Sequence, residues 1–281
     1  MTPAPHLGTA ALSLAGLVTS GSPHARRQAV ELDRALRLPL PRTCRVAVVP
    51  TAPGCGATTT ALHLTALAAR ARRLPALVVS ASPGPASAAD RLTFSRPWPP
   101  SPSTLDALAV TTGSQARELS GAGPDGLVSC LRLPPATTAL PGQWDAARRR
   151  LMRFFDLVVT ETGCLPPPAV TDLGRHHHAV ILVSPARRGP VEEARKRVQA
   201  TRRALGGLTQ PPEVVHVVVA TGPGHPLVPA LHPDEQLIGY DPALGGAGEP
   251  GLLRPATARC LARLAGRVLA AASSRPGTEA W

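Results

Sequence analysis

Lysine is all but missing from this chain. Lys and Arg together number 30, and Lys196 is the single lysine, so 29 of the basic residues are arginine. Aromatic residues are scarce as well, at 2% of the chain. The core must therefore be built from Leu, Val, Ala and Ile. Cysteine is limited to Cys44, Cys55, Cys130, Cys164 and Cys260, an odd number with no C-x-x-C pair. That pattern excludes a disulfide framework and a zinc ribbon, and it suits a reducing compartment. Long apolar runs are absent too. The stretch from Leu7 to Val18 is too short to span a bilayer. No Lys or Arg precedes it, and Arg26 and Arg27 follow it, which is the wrong order for a secretory signal. The expectation is a cytoplasmic protein with no transmembrane segment.

What is present bounds the class. With 281 residues, 43% of them apolar, the chain can form one large domain with a real core or two small ones. Its 25 glycines and 33 prolines follow no period and are interrupted by apolar runs, which implies stiff loops rather than disorder. Ala, Pro, Gly and Arg share GC-rich codons, so the composition fits a GC-rich bacterial genome such as an actinobacterium's. A net charge of +12 can attract nucleic acid or an acidic membrane. The arginines are scattered, however, and the longest run is Arg148-Arg149-Arg150. A solvated basic surface and a nucleic-acid partner are both open on charge alone.

The order of elements is more informative. Residues 1–43 read as an N-terminal appendage, with an amphipathic helix from Ala25 to Leu38. Apolar β-branched runs mark strands at Arg45–Pro50, Ala76–Val79, Leu127–Leu133, Asp156–Thr160, Ala179–Val183 and Val214–Val219, with a seventh at Gln236–Tyr240. Helical patterns occupy Thr58–Arg72, Ala146–Phe155, Pro190–Leu205 and Pro255–Ala272, and a tail covers 274–281. Strands alternating with helices predict a mostly parallel α/β sheet of about seven strands, covered on both faces, over residues 44–273. Continuous rather than alternating apolar strands fit that doubly covered sheet. Ligands in such folds sit at the carboxyl ends of the strands. The loops at 50–58, 80–86, 161–168, 184–190 and 220–226 are therefore the ones to read. There is no internal repeat.

The first of these loops, Thr51-Ala-Pro-Gly-Cys-Gly-Ala-Thr-Thr-Thr60, follows a strand and opens a helix. That is where a phosphate loop places backbone N–H groups against an anion. An ordinary βα turn is the plainer reading of Gly54 and Gly56. Cys55 is either a small loop filler or a thiol activated by the helix N-terminus. His176-His177-His178 reads as a polar lead-in to a strand rather than a metal site, since adjacent strand side chains point to opposite faces. Ser80 and Ser82 have no evident His or Asp partner, so a serine hydrolase is not expected.

The loop resembles the deviant Walker A motif of the MinD/ParA P-loop ATPases, K-G-G-x-G-K-T-T, laid over Ala52 to Thr59. Gly54, Gly56, Thr58 and Thr59 match it, while Ala52 and Ala57 replace both lysines and Pro53 replaces a glycine. Ser80-Ala81-Ser82-Pro83 corresponds to the family's aspartate-rich turn, with serines for acids, and Glu161-Thr162-Gly163 to its D-x-G switch. Val183-Ser184-Pro185 and Tyr240-Asp241-Pro242 fit the same pattern. The spacing from Arg45 to Ala271 is similar to that of MinD-like proteins of actinobacteria, some linked to type VII secretion.

The resemblance implies a nucleotide site at Gly54, Cys55, Gly56, Ala57, Thr58, Thr59, Ser80 and Gly163. Thr58 and Glu161 would serve Mg²⁺, and Glu161 would be the switch residue. It equally implies that the lysine-free loop binds ATP or ADP with Mg²⁺ weakly at best, because charge-assisted bonds worth roughly 1.5–3 kcal/mol each are gone. The expected function is a degenerate binding or scaffold module in secretion, division or partition, pairing with itself or with an active relative. The alternatives are an ATPase in which Arg42, Arg45 or a partner's arginine replaces the lysine, and a nonspecific DNA-associating partition protein.

Overall fold

A computed structural model of the chain describes residues 23–40, 43–84, 86–92, 110–123, 126–139, 142–245 and 253–274. Eight strands form one sheet in the order β3-β4-β2-β5-β1-β6-β7-β8. They are β1 (Cys44–Pro50), β2 (Ala76–Ala81), β3 (Gly121–Ala122), β4 (Val128–Arg132), β5 (Leu157–Thr162), β6 (Ala179–Pro185), β7 (Glu213–Val219) and β8 (Glu235–Ile238). All neighbours are parallel except β3, a two-residue antiparallel edge on β4. The expected mostly parallel α/β sheet is therefore present, with one short strand more than the sequence pattern signals. Parallel neighbours need crossovers, and the helices supply them on both faces.

Strand residues divide by parity, because successive side chains leave the sheet on opposite sides. Val46, Val48, Val78, Val159, Ile181 and Val217 pack in one layer with α2 (Ala57–Arg72) and α8 (Pro255–Ser273). Ala47, Val49, Val79, Val158, Val180 and Leu182 pack in the other with α5 (Gly142–Arg150), α6 (Pro167–Arg175) and α7 (Arg188–Leu205). With few aromatics available, the second layer places Trp144 and Phe155 where large volumes are needed, both fully buried.

The first helix, α1 (Pro23–Leu36), lies against α2 and α8. Leu36 is wholly buried in the core. Arg72 of α2 holds the chain that follows α1, donating to the carbonyls of Leu36 at 2.9 Å and Leu38 at 2.8 Å while its Nη2 reaches Asp156 at 3.2 Å. A Cβ at Gly266 would stand 3.0 Å from the Cβ of Ala35, so the glycine sets the close approach of α8 to α1.

Two short α-helices, α3 (Ala88–Arg91) and α4 (Gly113–Glu118), and two 3-10 helices, Met152–Phe154 and Pro242–Gly245, complete the described fold. A capping box formed by Thr112 and Gln115 starts α4. None of the four has the length for a periodic signal, and α6 has its start hidden in Pro166-Pro167-Pro168. Proline in the first helical turn costs nothing, because those N–H groups have no intrahelical acceptor.

A candidate phosphate-loop site

β1 is a central strand, hydrogen-bonded to β5 on one side and β6 on the other. Its carboxyl end delivers the chain into residues 51–56 and then into α2. The loop is fixed by the neighbouring strand: both the amide and the hydroxyl of Thr51 donate to the carbonyl of Val183, at 2.8 and 3.0 Å. Gly54 and Gly56 turn the backbone in the left-handed region, at φ 70° and 89°. At Gly56 a Cβ would also stand 2.8 Å from Cγ1 of Val219, so conformation and space both require glycine there. Helix α2 begins at Ala57, and the carbonyl of Gly56 accepts from both the amide and the hydroxyl of Thr60 at 2.9 Å.

Glu161 organises the site. It lies on β5 opposite Val48 of β1 and Ser80 of β2 in register, on the sheet face that α2 covers. Its side chain is fully buried. One carboxylate oxygen accepts from the hydroxyl of Thr58, across the first turn of α2. The other accepts from the hydroxyl of Ser80 at 3.2 Å and the amide of Ala88 at 2.9 Å. The amide of Ala89 donates in turn to Ser80 Oγ at 3.4 Å. Burial pushes the carboxyl of Glu161 above its ordinary value, against the opposing pull of the bonds from Thr58, Ala88 and Ser80 and the charge of Arg91.

Arg91 carries no signal in the sequence. It ends the four-residue helix α3, and its guanidinium donates to the hydroxyl of Thr59 at 2.7 Å and to the carbonyl of Leu244 at 3.1 Å. It thus brings a half-buried cation to the first turn of α2. Arg45 does not do so. It sits at the opposite end of β1, roughly 20 Å of strand away from Thr51, with Nε donating to the carbonyl of His176 at 2.7 Å. The expectation that Arg45 could stand in for the loop lysine is corrected on that geometry. Arg42, the other candidate, lies outside the described residues.

Gly163 closes the site toward β2. A Cβ there would stand 2.7 Å from Cδ of Pro83 and 2.9 Å from the carbonyl oxygen of Ala136. Cys55 is buried, and burial raises its thiol pKa, which removes the activated-thiol reading in favour of a loop filler. Cys164, next to Gly163, is exposed, whereas Cys44, Cys55 and Cys130 are buried and Cys260 is half-buried.

The histidine run does not form a metal centre. His177 is buried against Trp144; its Nδ1 lies 2.7 Å from the carbonyl of Leu173 and its Nε2 3.2 Å from the hydroxyl of Thr160. Burial drops its pKa to about 3, so the ring is neutral, with Nδ1–H donating and Nε2 accepting. His178 accepts the amide of Arg45 at 2.9 Å. Among the described residues no group of three or more His, Cys, Asp and Glu is placed to hold a metal ion.

A second polar cluster lies between the sheet and α7. Ser184 Oγ is 2.8 Å from His216 Nε2, and His216 Nδ1 is 2.8 Å from Glu235. Arg195 grips both Glu235 oxygens at 2.7 Å. The order is that of a hydrolytic relay, but Ser184 is wholly buried and cannot meet a substrate. The cluster joins β6, β7, β8 and α7. No helix among the described residues is long and apolar enough to cross a membrane.

No protein-family model and no curated protein matches the chain. Solved structures do. A ParA-family ATPase from Chlorobium tepidum superposes with a TM-score of 0.55 at 12% identity, covering 80% of this chain and 98% of that one. McdA from Cyanothece, solved as a variant in complex with ATP, gives 0.52 at 13% identity over 82% and 97%. The cell-division ATPase MinD from Pyrococcus furiosus gives 0.50 at 17% identity over 79% and 96%. Spanning nearly all of each of these proteins, the chain has the α/β fold of the ParA, McdA and MinD ATPases.

Proposed function

We propose that the chain is a degenerate relative of the MinD and ParA ATPases that works as a binding or scaffold module, with little or no ATP hydrolysis. Its partner would be a second copy or an active relative, in secretion, division or partition. One observation carries the reading. Thr58 and Glu161, which by resemblance would serve Mg²⁺, are spent on each other, and the second oxygen of Glu161 is satisfied by Ser80 and Ala88. The donor set does not fit a magnesium triphosphate: Ala52 and Ala57 stand at the lysine positions, Pro53 lacks an N–H, and Ser80 replaces a carboxylate. Phosphoryl transfer depends on positioning and charge around the phosphates, and one missing contact typically costs about 10²–10³ in rate.

Titration calorimetry with ATP and Mg²⁺, beside steady-state phosphate release, tests this. The expected result is no turnover and weak or no binding. Robust turnover by the unmodified chain would end the proposal.

A second reading is favoured by Arg91. Its guanidinium already reaches the first turn of α2, so an ATPase with an arginine in the lysine's place has a concrete candidate. Under that reading Arg91→Ala abolishes phosphate release, whereas under the first there is none to abolish.

A further inference from the structure

We propose that Glu161 is a built-in latch that holds α3 against the first turn of α2 in the absence of any ligand. The inference deepens the reading above and rests on it: the region that a nucleotide would organise is organised by a side chain of the protein itself.

Three observations support the latch. First, α3 has four residues and cannot be stable alone, because helix nucleation is unfavourable at that length. Its preceding residue, Ser87, makes no side-chain cap bond. The amide of Ala88 is instead taken by Glu161 at 2.9 Å. Second, the same carboxylate joins α2 through Thr58 and β2 through Ser80, so four segments meet at one buried group. Third, α3 returns a second tie from its other end, where Arg91 holds Thr59 of α2 and the carbonyl of Leu244. Both ends of α3 are thereby fastened to the first turn of α2, one through Glu161 and the other directly. The extra methylene of glutamate over aspartate supplies the reach. The consequence is a surface around α2 and α3 with one shape, presented to a partner whether or not a nucleotide is available.

Hydrogen exchange on the full chain without nucleotide tests the latch. Segments 57–60 and 86–92 should be protected in the unmodified protein. Glu161→Ala should raise exchange in both by about tenfold or more, leaving β6 and α8 unchanged. Glu161→Gln should retain most of the protection, since its amide can accept from Ala88 and donate to Thr58. Unchanged exchange at 86–92 in a folded Glu161→Ala protein would overturn the latch. If that variant does not fold, Glu161→Asp decides: faster exchange confined to the two segments supports the latch, and unchanged or uniformly faster exchange overturns it. Added ATP and Mg²⁺ address the other reading. Slower exchange at 57–60 would count against a nucleotide-free role, while the comparison of Glu161 variants, made without nucleotide, still decides the latch.

Discussion

The hydroxyl of Thr58 donates to the carboxylate of Glu161 across 103 residues of sequence. The first turn of α2 and the end of β5 are thereby joined directly. What the site can do follows from that bond and from the alanines on either side of Gly54 and Gly56.

Restoring one lysine should restore binding before it restores chemistry. Ala57→Lys returns a charge-assisted contact of roughly 1.5–3 kcal/mol, which is about 10- to 150-fold in affinity. Calorimetry with ATP and Mg²⁺ should detect binding in this variant, while phosphate release stays at background because Ala52, Pro53 and Ser80 are unchanged. Rapid turnover by Ala57→Lys would mean that the rest of the site is competent.

Two glycines should resist substitution. Gly56→Ala would force a left-handed φ of 89° on alanine and push Val219 aside, costing about 1–2 kcal/mol for the backbone alone. Gly163→Ala meets the fixed carbonyl of Ala136 at 2.9 Å, an overpacking cost of about 1–3 kcal/mol. Gly54→Ala, with open space around it and φ 70°, should cost less than Gly56→Ala. Urea denaturation of the three variants gives the order.

Acid should weaken the protein through Glu235. Burial pushes its carboxyl up, but the bonds from Arg195, the His232 amide and His216 bring it down to about 2, from an ordinary 4.5. A depressed carboxylate stabilises the fold fully above its unfolded value, and the gain is lost as pH falls from about 4.5 toward 2. Glu235→Gln removes the charge that Arg195 pairs with, and at neutral pH it should destabilise the protein. The variant should also lose part of the acid dependence in thermal melts between those pH values. An unchanged slope would place the acid sensitivity elsewhere.

Nucleic-acid binding, if the net charge of +12 supports any, should be electrostatic. Many of the exposed arginines are already paired within the protein, as Arg188 is with Glu192 and Arg202 with Asp234. Fluorescence anisotropy with duplex DNA should show weak binding at low salt and almost none at physiological salt, through counterion release. Tight ATP-dependent binding at physiological salt would favour a partition role instead.

Self-association should be indifferent to nucleotide, since Ala52 and Ala57 leave the loop without a lysine to bridge phosphates between copies. Light scattering should return the same mass with and without ATP and Mg²⁺. A dimer formed only on ATP addition would contradict the proposed function.

Much of the fold was legible because its strands are buried on both faces. Runs such as Val46 to Val49 and Ala179 to Val183 leave no polar residue to confuse the pattern, and a parallel sheet follows from their alternation with helices. The tight turn from β1 into α2 was legible from Gly54, Gly56 and the threonines after them. Elements set by tertiary contacts were not. β3 is a two-residue edge on β4, α3 depends on contacts from Glu161, Arg91 and the Asp90–Arg132 pair, and α6 begins in prolines that look like a breaker. Arg91 sits in Ala-Ala-Asp-Arg, where nothing distinguishes it from the other arginines. The inward bonding of Glu161 was also hidden, because side-chain reach is not a sequence pattern. Only the packed positions of Thr58, Ser80 and Ala88 determine where an extra methylene carries a carboxylate.

The exposure of Cys164 has a practical consequence. Three of the other four thiols are buried, and the fourth, Cys260, is half-buried with its Sγ against the carbonyl of Leu237. A maleimide dye at mildly alkaline pH should therefore attach at one place, a single residue beyond Gly163 and at the carboxyl end of the sheet. Without any engineered cysteine, the native chain carries its own reporter at the mouth of the loop, and whatever docks there should change that dye's emission.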